Sequence, residues 1–125
     1  MEISLENVID IFKLYSGESF DGTDLRRDAL CRELCEGCVQ ETMALPWKQA
    51  EEGQEDSRAA EKLAAAGAFY QLALVDMANC PKTLSTPEIK LSLDDRADRA
   101  RRLRDEKQRA CEGMLCERGF YFGLA

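Results

Sequence analysis

Three cysteines, Cys31, Cys35 and Cys38, are separated by three and two intervening residues. Thiolates are soft metal ligands, and with Cys80, Cys111 or Cys116 as a fourth donor this set could close a tetrahedral zinc site. The same spacing also serves iron–sulfur clusters, which cysteine thiolates hold. A competing reading needs no metal. Positions i, i+4 and i+7 lie on one face of a helix, here interleaved with Leu34, and a thiol on such a face acts as a small buried hydrophobe. The core-face reading is the expectation, with no cofactor and with Cys31, Cys35 and Cys38 kept as the candidate metal ligands.

The cluster-binding version of this spacing belongs to a loop of a long β/α barrel in radical enzymes that use S-adenosylmethionine. This chain has neither the length nor the alternating strands for one. Conventional catalysis also lacks parts. There is no histidine, which removes the commonest general base and the usual activator of a serine or cysteine nucleophile. Gly17 and Gly22 are isolated and form no phosphate loop. The acid pairs Glu51/Glu52 and Asp94/Asp95 read as a solvated loop and a helix start. No enzyme is expected.

Charge offers a better candidate. Arg96, Arg99, Arg101, Arg102, Arg104, Lys107 and Arg109 stand against Asp98, Asp105 and Glu106. Spacings such as Asp98–Arg102 and Asp105–Arg109 suit i, i+4 pairs on a solvated helix rather than a nucleic-acid groove. Arginine is also favoured at protein interfaces, where its fork matches carboxylates. The acidic first half of a neighbouring copy would supply them. Residues 1–61 carry 15 acids and 6 bases, whereas residues 62–125 carry 9 acids and 11 bases. Arg99, Arg101 and Arg102 are therefore candidate interface residues. Trp47 and the terminal Phe120, Tyr121 and Phe122 join them, because large aromatics at chain punctuation either pack locally or anchor a partner.

The elements that carry these residues read as helical. Leu5, Val8, Ile9 and Phe12 form one apolar stripe, with Ser4 as N-cap and Ser16-Gly17 as the stop. A second helix runs from Thr23 or Asp24 to Met43, with the cysteines, Leu34 and Thr42 on its stripe and Pro46 beyond it. The third, about Asp56 to Asn79, is apolar almost all round and implies burial on several sides. Its alanines and Gly67 should let neighbouring backbones come close. Next, Ile89, Leu91 and Leu93 alternate with Lys90 and Ser92. Period two predicts a short strand or hairpin arm over about 87–93, with Pro87 holding it at an edge. A fourth helix is expected from Asp94 to about Glu117, with Ala97, Ala100, Leu103, Ala110, Met114 and Leu115 inward. The fold class is thus mainly α, a four-helix, bundle-like single domain over 1–125 with that short strand before the last helix.

Bulk properties agree. A chain of 125 residues, 45% hydrophobic and 33% charged, suits one domain that needs no disulfide or metal to stay folded. No apolar run is long enough to span a bilayer, and MEISLENVID carries acids where a secretory leader carries bases. The expectation is a cytoplasmic protein with reduced cysteines and no membrane partner. A net charge of −7 disfavours general nucleic-acid binding.

Taken in order, the acidic first half, AAEKLAAAGAFYQLAL, EIKLSL, ARRLRDEKQRA and GFYFG resemble small proteins of prophage structural cassettes in anaerobic Gram-positive bacteria. These are similar to the helical head–tail connector proteins of tailed phages, which serve head completion and are associated with DNA packaging. The likeness covers about residues 55–125 well and residues 1–54 in layout only. Its motifs are patterns of residue type, not catalytic signatures, and the cysteine content departs from it. The resemblance implies a non-catalytic virion-assembly adaptor that forms a ring beneath the portal. Its partners would be portal or tail components and copies of itself. DNA would pass its inner surface without specific binding, and the chain would become a virion component where the prophage is active. The alternative is a cytoplasmic helical regulator or small-ligand-binding bundle, with Cys31, Cys35 and Cys38 sensing metal or redox state.

Overall fold

Local signals for four helices are met in a computed structural model, which describes residues 2–47, 54–80 and 86–115. Helix α1 is Leu5–Ser16, α2 is Leu25–Met43, α3 is Gln54–Ala78 and α4 is Pro87–Glu112. Ser4 caps α1 by accepting from the Asn7 N–H, and Gly17 ends it at φ 83°, a left-handed conformation that glycine adopts without a Cβ clash. Asp24 caps α2 by accepting from the Arg27 N–H at 3.1 Å.

One expected element is replaced. Residues 87–93 are not a strand; they form the first turns of α4, which therefore starts well before Asp94. Thr86 is the N-cap, accepting from the Ile89 N–H at 3.2 Å, and Pro87 opens the helix. Proline suits that position because its φ is already helical and its missing N–H would have had no partner there. The alternation of Ile89, Leu91 and Leu93 misled because this stretch is hardly packed. Ile89 and Leu91 are exposed, and Leu93 is half-buried. Asp94, expected as the cap, is an exposed residue inside the helix. At the other end α4 stops at Glu112, and Ala110, expected inward, is exposed.

Helix α3 is the hub. It packs against α1, α2 and α4, whereas α4 packs chiefly on α3. Ala60, Ala64, Ala65, Ala66, Ala68 and Ala73 are buried along it, with Leu72 and Phe69. Against them lie Val8, Ile9, Ile11 and Phe12 of α1 and Cys31, Cys35, Cys38 and Val39 of α2. Contacts fix the helix directions. Glu61 near the start of α3 accepts from the Ser4 N–H at 3.0 Å and from the Asn7 amide, so α1 begins beside the beginning of α3. Arg27 and Arg96 both reach Asp76 near the end of α3, so α2 and α4 run opposite to it. Beyond the helices, Trp47 and Leu115 form an isolated antiparallel bridge that ties the exits of α2 and α4.

Because Arg96 is level with Asp76 and α3 ends at Ala78, residues 87–93 run past the end of their main packing partner. At 1.5 Å per residue that overhang is about 10 Å long.

Gly67 plays a smaller part than its place in the alanine run suggests. A Cβ added there would meet only the Cys38 Sγ, at 3.5 Å, an ordinary contact. Close approach at this level does not require glycine, while glycine inside a helix carries an entropic cost. Gly67→Ala is expected to raise stability by about 0.5–1 kcal/mol, read as a higher denaturant midpoint at unchanged slope. A lower midpoint would show that the backbones are closer than this packing indicates.

Candidate functional site

The cysteines occupy the face of α2 that their spacing predicts. Cys31 and Cys35 are fully buried and Cys38 is 4% exposed. Burial pushes all three thiols up to about 12, with Glu18 adding to the effect at Cys31 and Glu41 at Cys38. Cys31 donates to Glu18 Oε1 at 3.7 Å. Helical rise explains why they do not converge: seven residues from Cys31 to Cys38 span about 10.5 Å. Among the described residues no group of three His, Cys, Asp or Glu is placed to hold a metal ion. What this arrangement can do chemically is fill space with neutral sulfur.

A second cluster was not singled out from the sequence. Asp76 of α3 accepts from Arg27 Nη1 at 2.6 Å and Nη2 at 2.9 Å, and from Arg96 Nη1 at 2.6 Å. Arg27 also forks onto Glu18, through Nε at 3.0 Å and Nη2 at 3.2 Å. Arg96 reaches the Ser16 carbonyl at 3.5 Å and lies 5.4 Å from the centre of the Phe69 ring. Hydrogen bonds from Arg27 come first among the causes that hold the Asp76 carboxyl below its usual range, with Arg96 adding to them against the opposing effect of burial. The same pairing raises the Arg27 guanidinium further. These charges satisfy one another, so the cluster is a lock between helices. Its one legible trace was spacing. Arg96, Ala100 and Arg104 fall at i, i+4, i+8, which sets both arginines beside the inward stripe.

Helix α4 thus divides its arginines. Arg96 and Arg104 turn in, the latter stacked 4.5 Å over the Tyr70 ring and paired with Asp105 at 3.1 Å. Arg99, Arg101, Arg102 and Arg109 turn out. The Asp98–Arg102 pair foreseen from spacing is present at 2.9 Å, and Asp98 also takes Arg101 at 2.7 Å. Asp105 takes its neighbour Arg104 rather than Arg109. Trp47 is half-buried and turned back on its own chain, donating through Nε1 to the Thr42 carbonyl at 2.7 Å. Phe120, Tyr121 and Phe122 lie outside the described residues.

A pocket of about 350 Å³ opens between α2, α3 and α4. Leu63, Ala64 and Gly67 line its apolar part, and Glu41, Gln71 and Arg104 its polar part. The volume falls within the range of small-ligand sites, which run from about 300 Å³. No motif announced it, because its walls come from three helices distant in sequence.

Of the exposed large apolar groups, Leu14, Leu25 and Leu91 lie towards one end, whereas Met43 lies at the other. Leu14 is 83% exposed and Leu25 75%, and these flank the turn between α1 and α2. Leu91, on the overhang of α4, is 63% exposed. The Asp76 cluster marks the same end, since Ser16, Arg27 and Arg96 meet there.

Two measurements check this chemistry. Asp76→Asn keeps the size but removes the charge facing two arginines, and a loss of about 2 kcal/mol is expected. Asp76 is depressed in the folded chain, so its contribution is present above about pH 4 and is lost as pH falls from there through its folded value. The stability of the variant should therefore fall less steeply below pH 4 than that of the parent, and parallel curves would contradict the assignment. Site-resolved alkylation at pH 8 should leave Cys31, Cys35 and Cys38 unmodified in the folded chain and label them on unfolding. Rapid labelling of any of the three while folded would refute their burial as neutral thiols.

No family model, no curated protein and no solved structure matches this chain.

Proposed function

We propose that this chain is a non-catalytic assembly adaptor of the phage head–tail connector type, a small helical body whose outer surface contacts portal or tail components and further copies of itself. The observation that carries the proposal is the gathering of Leu14, Leu25 and Leu91 at one end. Single exposed leucines are ordinary on a protein surface, but several at one end, beside an overhanging helix, suit an interaction surface. The outward arginines Arg99, Arg101 and Arg102 add forked donors for a partner's carboxylates. Among the described residues no helix is long and apolar enough to cross a membrane. On this reading the chain acts in the cytoplasm and enters the virion when the prophage is active. Its acidic balance lets DNA pass without specific binding.

A second reading, a regulatory bundle that binds a small ligand, draws on the pocket of about 350 Å³ between α2, α3 and α4. It draws nothing from the thiols, since a thiol pushed up to about 12 is a poor nucleophile and a poor metal ligand near neutral pH.

The test pairs the purified chain with the portal and tail proteins encoded beside its gene. Co-sedimentation with a portal or tail protein is expected, together with its loss in Leu14→Asp and Leu91→Asp chains whose helical content is unchanged. Absence of such genes from the neighbourhood, or no co-sedimentation by the parent chain, would sink the connector reading.

A further inference from the structure

The exposed charges on α1 and α4 are complementary and, for the most part, unused. Glu6 and Asp10 stand four residues apart, so they share one ridge on the outer side of α1, and both are exposed, as is Glu2 in the segment before the Ser4 cap. Arg99, Arg102 and Arg109 form the matching ridge on α4, and they too are exposed. Among the described residues Glu2, Glu6, Asp10, Arg99 and Arg109 make no ion pair within the chain, and Arg102 pairs only with Asp98 on its own helix.

The helix directions bring these ridges to the same height. Arg96 reaches the Ser16 carbonyl, which sets residue 96 of α4 level with residue 16 of α1. The two helices run in opposite directions and descend about 1.5 Å per residue. Six residues down from each, Asp10 stands level with Arg102. Arg99 then lies just above that height, and Arg109 lies beyond the level of Glu6, towards the start of α1. Glu106 interrupts the arginine ridge at the level of Glu6, where Arg102 and Arg109 flank it within the reach of a long side chain.

We propose that the acidic ridge of α1 in one copy docks on the arginine ridge of α4 in a second copy, with both copies pointing the same way. It rests on the reading of the chain as an assembly protein and names the surface through which copies meet. The occupant is another copy because this chain itself supplies the opposite charge at matching heights. The contact is between unlike surfaces, so each docked copy keeps one ridge open for the next, and association continues until it closes or extends as a chain.

The experiment is sedimentation of the purified chain against salt, with two charge-reversed variants. One carries Glu6→Lys and Asp10→Lys; the other carries Arg99→Glu and Arg102→Glu. None of these four side chains is buried, so folding should survive, and circular dichroism checks it. The parent chain should associate at low salt. It should dissociate as ionic strength rises from about 0.01 M to about 1 M, which shortens the screening length from about 30 Å to about 3 Å. Each variant alone should associate roughly tenfold more weakly or worse. Mixed together, the two variants should associate again, because each restores the charge the other has lost. A parent chain that stays monomeric at low salt, variants that associate as the parent does, or a mixture that remains monomeric would each overturn the proposal. If only the arginine reversal matters, the ridge on α4 meets a different polyanion, and the proposal is again wrong. Portal or tail co-sedimentation, read in parallel, keeps the two ideas separate. Its persistence without self-association overturns this inference alone, and its loss with self-association intact overturns the connector reading alone.

Discussion

Asp76 is where the helices of this protein are held to one another. Its two oxygens take Arg27 from α2 and Arg96 from α4, and those arginines carry the linkage on to Glu18 and to the Ser16 carbonyl at the end of α1. All four acid and base groups are mostly shielded, with side-chain exposures from 19% to 28%. In such surroundings a forked, charge-assisted contact is far stronger than the same pair in water, and an unmatched member is correspondingly costly. The arrangement therefore orients the helices as well as joining them. Meeting on one carboxylate restricts how α2 and α4 can be set against each other.

The rest of α3 makes that setting reachable. Its alanines keep the axis thin, so three neighbours can approach one helix. The space left between α2 and α3 is filled by thiols instead of branched side chains. Cysteine is compact and polarisable, and burial keeps it protonated. In this light Cys31, Cys35 and Cys38 need no redox explanation, because their burial as space-filling thiols explains them.

Because α4 rests chiefly on α3, it is the helix with most surface to spare. Its two arginines beside the inward stripe are spent on Phe69, Tyr70 and Asp76, whereas the outward ones face solvent over an acidic protein. The overhang at residues 87–93 adds apolar groups at the end where the Asp76 cluster sits. One projecting helix end and segregated surface charge are the features on which the proposed contact role draws.

Residues alone determined the helical segments, the cap at Ser4, the central place of the alanine-rich helix and the shared face of the three thiols. Each of these follows from a period, or from a side chain bonding its own backbone within a turn or two. The start of α4 was written in the same terms, as Thr86 followed by Pro87. There a period-two pattern competed with the cap, and the pattern lost because nothing packs on that stretch. Tertiary structure alone decided the direction in which Arg96 and Arg104 turn, the meeting of Glu18, Arg27 and Asp76, the pocket beside Leu63 and the equal height of the two charged ridges. These depend on residues 20 to 80 positions apart being brought side by side. No local pattern encodes such a distance, because it is set by how helices pack and not by how each one forms.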